Sequence, residues 1–240
     1  MNKILKSNAL LLFVMVVLLG YTLNFISLDV VMNDTVWQQH LNKKYDKKYN
    51  EYKDMDVDLS EFKDELAAFD QQSANIDTSY SWDYFYVDTL TVLVPLLVVV
   101  LGYSCLLLLL FLFHKTLNTV KYQAILKVTI LSYVIFYIPE TLSNIYFLIF
   151  KTDYTVESFR KFYRHFHTSS LFNKEQLPSW IWGVISDFDL IYIFFPALVA
   201  LGLKLLYKQF SIGLLLSYCY LTYIIAFIFN EIIMWYIFGF

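Results

Sequence analysis

Five long apolar runs divide the chain, and each has the length of a membrane span. A helix crosses the hydrocarbon of a bilayer with about 17 to 25 predominantly apolar residues. Asn230 and Glu231 interrupt the last run. The pattern predicts an all-α integral membrane protein with about five transmembrane helices, at Ala9–Ile26, Leu90–Phe113, Ala124–Phe150, Gly183–Leu203 and Ser211–Phe238.

These runs predict three parts of the chain. Residues 1–27 form an N-terminal transmembrane anchor, and residues 28–89 form an extracytoplasmic helical loop. Residues 90–240 form a four-helix transmembrane domain with an amphipathic outer loop at 151–182. The first run follows a basic start, as a secretory signal does, but no small-x-small cleavage pattern ends it. We interpret it as an uncleaved anchor.

The lysines of the short segments predict the orientation of the spans, because short cytoplasmic segments carry an excess of Lys and Arg. The two long loops hold most of the basic residues, but long loops count less in this rule. The prediction is an N-terminus in the cytoplasm, a C-terminus outside and both long loops outside. The short cytoplasmic segments then carry Lys3, Lys6, Lys115, Lys121, Lys204 and Lys208.

Aromatic residues of the first outer loop recur every three or four positions, which predicts one aromatic face of a helix. A second short helix is predicted after Asp58, so the loop is expected to form a helical hairpin. The aromatic face either packs on the outer ends of the spans or docks a partner chain. Its members, the predicted docking residues, are Trp37, Leu41, Tyr45, Tyr49 and Tyr52.

The second outer loop also carries aromatic residues at helical spacing, beside several basic ones. This pattern is typical of an amphipathic helix on a membrane surface. His165 and His167 are two residues apart and do not share a helix face, so they are predicted to be interfacial side chains rather than metal ligands. The aromatic positions are Phe159, Phe162, Tyr163 and Phe166.

Polar residues inside the predicted spans indicate a structural or functional role, because inserting an ionised group into the bilayer centre costs roughly 2.5–3.5 kcal/mol of free energy. With the predicted orientation, all of them fall in the outer half of the bilayer. They either bind a proton or cation, as in a carrier or channel, or link helix to helix. Pro139 and Pro196 are predicted to kink the helices nearby. The predicted intramembrane polar cluster consists of Glu140, Asn144, Asp187, Asp189 and Glu231.

Composition excludes several classes of function. Hydrophobic residues make up 58% of the chain and charged residues 16%, against roughly 25% charged in soluble domains. The net charge of −3, without a dense basic patch, argues against nucleic-acid binding. The chain contains no GxSxG, HExxH or Walker motif, so no catalytic residue, metal or cofactor is predicted. An enzyme acting on lipids, with His165 or His167 as base, is supported by loop composition alone.

Two stretches resemble bacterial YIP1-family membrane proteins. LNTVKYQAILKVTILSYVIFYIP resembles the linker and third span of that family, and SDFDLIYIFFPALVALGLKLLYKQFSIGLLLSY resembles its fourth and fifth spans. In the family an Asp-hydrophobic stretch opens the fourth helix, here from Asp187, and a Gly-Leu-Lys-like end closes it, here at Gly202 to Lys204. The resemblance covers about residues 90–230.

The resemblance implies a place and a role. Lysine usage and the absence of a large cytoplasmic N-terminal region resemble the bacterial members of the family more than the eukaryotic ones. The resemblance therefore implies a location in the bacterial inner membrane. Eukaryotic relatives bind small GTPases, and that property is not carried over. Bacterial relatives with a long loop after the first span resemble accessory proteins of ABC-type exporters.

The sequence thus predicts a non-enzymatic membrane scaffold or accessory subunit of a larger envelope complex. Its expected partners are membrane lipid and other membrane-protein subunits. The alternative is a small proton- or cation-linked carrier or channel that uses the intramembrane carboxylates.

Overall fold

The computed structural model describes residues 8–31, 82–151, 154–164 and 190–238, with single residues and pairs of residues between these ranges. Every element in the described part is helical, which confirms the all-α prediction. The helices in chain order are α1 (Ala9–Phe25), α2 (Trp82–Leu112), α3 (Tyr122–Ser132), α4 (Ile138–Ile149), α5 (Val156–Arg164), α6 (Phe194–Leu206) and α7 (Ile212–Phe238).

Three helical segments of the described chain are long and apolar enough to cross a membrane. They are Leu90–Leu112 in α2, Tyr122–Ile149 through α3 and α4, and Ile212–Phe229 in α7. Two further apolar helices, Ala9–Phe25 and Ile191–Leu206, are shorter. The membrane assignment is thereby confirmed with three spanning helices, and the count of five stays a prediction.

Three of the described helices begin at side-chain caps. At the start of α1 the Asn8 side-chain oxygen accepts the Leu10 backbone N–H at 3.1 Å. The Ser211 hydroxyl oxygen accepts the Leu214 backbone N–H at 3.2 Å, so α7 begins where the sequence predicted a span. At the start of α5 the backbone N–H of Thr155 donates to the Ser158 hydroxyl oxygen at 2.9 Å, and the Ser158 N–H to the Thr155 hydroxyl oxygen at 3.3 Å. This reciprocal pair satisfies two N–H groups that the helix itself leaves free.

The second helix differs from its predicted bounds. α2 begins at Trp82, inside the segment predicted as an outer loop, rather than at Leu90. Residues 82–89 contain neither Gly nor Pro, so nothing in them ends a helix that the apolar run propagates. The helix α2 is therefore longer than its apolar segment, Leu90–Leu112.

Four helices surround the main apolar core. α2, α3, α6 and α7 pack in a ring, since α2 contacts α3 and α7 while α6 contacts the same two helices. α1 lies outside this ring against α2 and α3. Each helix contributes one stripe of buried residues at helical spacing. In α2, Tyr103, Leu107 and Phe111 belong to this core, while Leu96 and Val100 pack with residues of α1.

The remaining helix faces are apolar and exposed. Met15 on α1 is 59% exposed, and Val98 on α2 is 64% exposed. Contiguous apolar surface of this kind is rare on soluble monomers and is what hydrocarbon chains cover in a bilayer. The outer surface of the bundle thus agrees with the membrane assignment.

Both prolines that the sequence marked as kinks follow 3₁₀ turns. Tyr133–Tyr137 is a 3₁₀ segment that ends just before Pro139 in the first turn of α4. A second 3₁₀ segment, Leu190–Ile193, precedes Pro196 in the first turn of α6. Proline has no backbone N–H to donate to the carbonyl four residues earlier. The chain therefore forms a 3₁₀ turn before each proline, and a new α-helix begins with the proline in its first turn.

Candidate functional site

A polar contact joins the end of α1 to the side of α4. Past Phe25 the helix continues as a π-helical turn, Ile26–Val31, which packs against α4. Ser27 belongs to this turn, while Glu140 and Asn144 lie one helical turn apart on α4. Ser27 and Asn144 are buried, and Glu140 is half-buried. We call Ser27, Glu140 and Asn144 the polar junction.

Hydrogen bonds between distant parts of the chain hold the polar junction. The Ser27 hydroxyl donates to Glu140 Oε1 at 2.7 Å. Asn144 Nδ2 donates to the Ser27 hydroxyl oxygen at 2.8 Å and to the Leu23 carbonyl oxygen at 3.4 Å. Asn144 Oδ1 is also 3.0 Å from that hydroxyl, whose single proton goes to the nearer carboxylate oxygen. Buried polar groups thus satisfy one another and tie α1 to α4.

One turn before the junction, the Tyr137 hydroxyl lies against Gly20 of α1. A Cβ added to Gly20 would fall 2.5 Å from the Tyr137 hydroxyl oxygen and 2.7 Å from Val92 Cγ1. A larger residue at this position would require the Tyr137 or Val92 side chain to shift, so Gly20 sets how closely α1 approaches the bundle. The Tyr137 hydroxyl and Asn24 Nδ2 are buried and have no hydrogen-bond partner in the described part of the chain.

Glu140 is a carboxyl group in a helical segment that is long and apolar enough to cross a membrane. Among the described residues, Lys43 and Glu157 form an ion pair, and no ion pair includes Glu140. The Ser27 hydroxyl replaces part of the water that a free carboxylate would bind. Chemically, such a group either links helices through its hydrogen bonds or takes up and releases a proton.

An aromatic cluster extends from the end of α4 to α5. The rings of Tyr146 and Phe162 stack with centroids 4.4 Å apart and planes 8° apart. Phe147 lies 5.2 Å from Phe159 and 5.0 Å from Tyr154, measured between ring centroids. The predicted helix of the second outer loop is therefore present, and Phe159 and Phe162 form the face that packs on α4.

Two contacts bring the first outer segment to the second. The Tyr154 hydroxyl donates to the Val31 carbonyl oxygen at 2.5 Å, and burial raises the pKa of this phenol, which keeps it protonated. Val36 is buried in the same cluster as Val31. Lys43 Nζ lies 3.4 Å from Glu157 Oε2. We call α5 together with Val31, Val36 and Lys43 the outer assembly.

The structure brings together part of the predicted intramembrane polar cluster. Glu140 and Asn144 share a partner in Ser27. Asp187 and Asp189 lie outside the described residues, and so does the side chain of Glu231, whose backbone belongs to α7. Also outside the described residues lie His165, His167 and the predicted docking residues Trp37, Leu41, Tyr45, Tyr49 and Tyr52.

Sequence reasoning missed Ser27, Gly20 and Tyr137. A signal for the first two existed, because Gly20, Asn24 and Ser27 follow one another at four and three residues and share one face of α1. That face interrupts an otherwise apolar helix with small and polar residues, a pattern typical of contacts between membrane helices. Tyr137 gave no such signal among the many tyrosines of the chain.

No protein-family model, curated protein or solved structure matches the chain. The resemblance of residues 90–230 to the YIP1 family therefore stays a prediction. Within the described residues, no group of three or more His, Cys, Asp or Glu could hold a metal ion. The polar junction and the outer assembly are the two features of the described chain that bear on function.

Proposed function

We propose that the chain is a non-enzymatic membrane scaffold or accessory subunit of a larger envelope complex, which docks partner chains through its extracytoplasmic loops. The observation that carries this proposal is the outer assembly. Lys43 and Glu157 are 114 residues apart and come from different loops, yet they are in contact. A surface whose parts already contact one another, as Lys43 and Glu157 do, loses less conformational freedom on binding, which favours a docking role.

Five spans are part of the proposal, and helix lengths support them. The 17 residues of α1 and the 6 of the following π-helical turn make 23. At about 1.5 Å per residue this segment is about 34 Å long, enough for a hydrocarbon core of about 30 Å. The 4 residues of the 3₁₀ turn before α6 and the 13 of α6 itself make 17, the lower limit for a span.

The proposed orientation places the lysine-bearing loops in the cytoplasm and the outer assembly outside. The backbone N–H of Lys121 donates to the Tyr207 hydroxyl oxygen at 3.1 Å, so the loops after α2 and after α6 meet at one end of the bundle. Both loops carry lysines and, by the positive-inside rule, face the cytoplasm. The polar junction and outer assembly lie at the other end, near the C-terminal end of α1.

The polar junction supports a structural role for Glu140. Its carboxylate oxygen accepts a hydrogen bond from another helical segment, as polar residues at contacts between membrane helices do. The junction holds the π-helical turn that leads into the first outer loop. The resemblance to accessory proteins of ABC-type exporters supports the same role, with a bacterial inner membrane as its place.

Purification in mild detergent tests the proposal. The tagged full chain is expected to bring down a defined set of membrane-protein subunits, identified by mass spectrometry. The variant W37A/Y45A/Y49A removes three predicted docking residues and should lose those subunits while keeping the free energy of unfolding of the parent.

The matched control for that experiment is K44Q/K48Q, which changes the same segment away from its aromatic face. This control should retain the subunits. Recovery of the parent chain as a lone monomer, or equal retention of partners by both variants, would contradict the scaffold proposal.

A second candidate function, a proton- or cation-linked carrier or channel, is favoured by one observation. Glu140 is a half-buried carboxyl group in a spanning segment, and the Tyr137 hydroxyl buried one turn away has no hydrogen-bond partner among the described residues. Under this proposal Asp187, Asp189 and Glu231 extend the polar path, and Glu140 exchanges the proton.

Flux into liposomes decides this second candidate. The reconstituted parent should conduct protons or cations, Glu140→Gln should abolish the flux, and Glu157→Gln should leave it unchanged because Glu157 lies outside the spans. Absence of flux in the parent would end the carrier proposal and leave the scaffold proposal intact.

A further inference from the structure

The end of the bundle opposite the polar junction carries a concentrated positive charge. It is formed by the loop between α2 and α3 and the loop between α6 and α7. Lys115 and Lys121 come from the first loop, Lys208 from the second, and Lys204 from the last turn of α6. We call these four residues the lysine end. Lys115, Lys121 and Lys208 are exposed, and Lys204 is half-buried.

Backbone and side-chain hydrogen bonds hold the lysine end in one shape. Lys204 Nζ donates to the Lys208 carbonyl oxygen at 2.7 Å and to the Phe210 carbonyl oxygen at 2.6 Å. The Lys121 N–H bond to the Tyr207 hydroxyl joins this loop to the one after α2. The lysine end is therefore an ordered surface made by two loops, since each loop is pinned by bonds to the other or to α6.

The charge of the lysine end is not neutralised by neighbours along the chain. Residues 89–139 and 190–230 contain no Asp or Glu, and they cover α3, α6, both loops and the parts of α2 and α7 that adjoin those loops. The same residues include a fifth lysine, Lys127, in α3. An anion is thus the partner that this surface fits by charge.

Exposed apolar residues border the lysine end. Phe113, two residues before Lys115, is 88% exposed, and Leu206, two residues before Lys208, is exposed as well. Charged lysines beside a lipid-facing apolar surface lie at the height of lipid headgroups. A ligand with an acyl chain satisfies both features, whereas a soluble anion satisfies only the charge.

We propose that the lysine end binds the headgroups of anionic phospholipids, with Lys115, Lys121 and Lys208 contacting the phosphate. Lys204 is a positioning residue, because its ammonium group is engaged with the carbonyl oxygens of the loop. The surface does not depend on a protein partner, so this proposal stands apart from the scaffold function.

Lipid retention measures the proposed binding directly. The full chain is reconstituted in vesicles of equimolar phosphatidylglycerol and phosphatidylcholine and extracted gently, and the retained lipids are counted by native mass spectrometry. The parent should retain phosphatidylglycerol in excess. Each lysine near a membrane surface favours anionic lipid by about fivefold, so K115Q/K121Q/K208Q should lower the enrichment by at least about fivefold and at most on the order of a hundredfold.

Two further variants keep the test specific. K44Q/K48Q/K53Q removes the same number of charges from the first outer loop and should retain the parent enrichment. K115R/K121R/K208R keeps the charges and should also retain it, which separates lost binding from lost folding. Equal retention of the two phospholipids by the parent, or undiminished enrichment in K115Q/K121Q/K208Q, would overturn the proposal.

The last arm distinguishes a lipid from a free anion. Inorganic phosphate added at constant ionic strength should leave the retained phosphatidylglycerol unchanged, because it gains nothing from the apolar border. Displacement of the lipid by phosphate would show a site for soluble anions and would overturn the assignment to lipid.

Discussion

The ring of α2, α3, α6 and α7 and the contact of α1 with α4 join helices in two different ways. In the ring, Phe195 and Tyr103 meet edge to face at 4.9 Å between centroids, and a Cβ on Gly202 would lie 2.5 Å from Val128 Cγ1. At the polar junction, Ser27 and Glu140 are joined by a hydrogen bond of 2.7 Å. One contact is close apolar packing, and the other is polar.

The difference follows from the solvent that surrounds the helices. Lipid tails are as apolar as leucine, so burial of apolar surface alone does not drive membrane helices together. Dispersion contacts in close packing hold most of the ring, and each lost side chain leaves a void. The Tyr103 hydroxyl also donates to the Cys219 carbonyl oxygen at 2.8 Å and joins α2 to α7. Hydrogen bonds between membrane helices contribute less, about 0.6 kcal/mol on average and at most about 1.7. The ring should therefore be the more sensitive region.

The largest expected effect is the loss of a ring side chain. Phe195→Ala should lower the free energy of unfolding by about 3–5 kcal/mol, because the fully buried ring contacts Tyr103 and Phe136 and leaves a cavity. Denaturation in mixed detergent micelles measures this change. Phe194→Ala is the matched control, since Phe194 is 59% exposed and faces lipid. Equal losses in the two variants would contradict the packing of the ring.

A smaller loss is expected where α1 meets the ring. Gly20→Ala should lower the free energy of unfolding by about 1–3 kcal/mol, because the added methyl group collides with the Tyr137 hydroxyl and Val92. Adding Tyr137→Phe should recover part of the loss. Gly102→Ala, with nothing within 4 Å of the new Cβ, should be neutral or stabilising by up to about 1 kcal/mol. An equal change in the free energy of unfolding for Gly20→Ala and Gly102→Ala would show that α1 does not lie this close to Tyr137 and Val92.

The polar junction should respond less than either site. Ser27→Ala is expected to cost about 0.6–1.7 kcal/mol, since it removes the shared partner of Glu140 and Asn144. A double-mutant cycle with Asn144→Ala isolates the coupling between the two side chains. Thr22→Ala is the control, because in the described part of the chain its hydroxyl donates to the Leu18 carbonyl oxygen of its own helix. Additive effects of Ser27→Ala and Asn144→Ala would argue against the junction.

The smallest effect is expected in the outer assembly. Lys43 and Glu157 are 68% and 53% exposed, so their ion pair should contribute about 0.2–1 kcal/mol and weaken with salt. A double-mutant cycle of Lys43→Gln and Glu157→Gln at low and high salt measures it. A coupling energy above that range, or one that does not change with salt, would show that this ion pair is buried and would contradict its exposed position.

Local periodicity carried most of what the sequence determined. The all-helical class, the start of α7 beside Ser211 and the aromatic face of α5 all follow from spacing of three and four residues and from capping residues. The cost of a carboxylate in a span singled out Glu140 before any partner was known. These features depend on neighbours within a few turns, which a sequence displays directly.

Tertiary structure alone decided which helix faces meet. Ser27 is 113 residues from Glu140, and Gly20 lies against Tyr137 from a distant helix. The apolar faces of these helices resemble one another, so composition leaves their rotation and relative depth open. Close packing at Gly20 and Gly202 and hydrogen bonding at Ser27 select one arrangement, because both depend on distances between helices that periodicity does not contain.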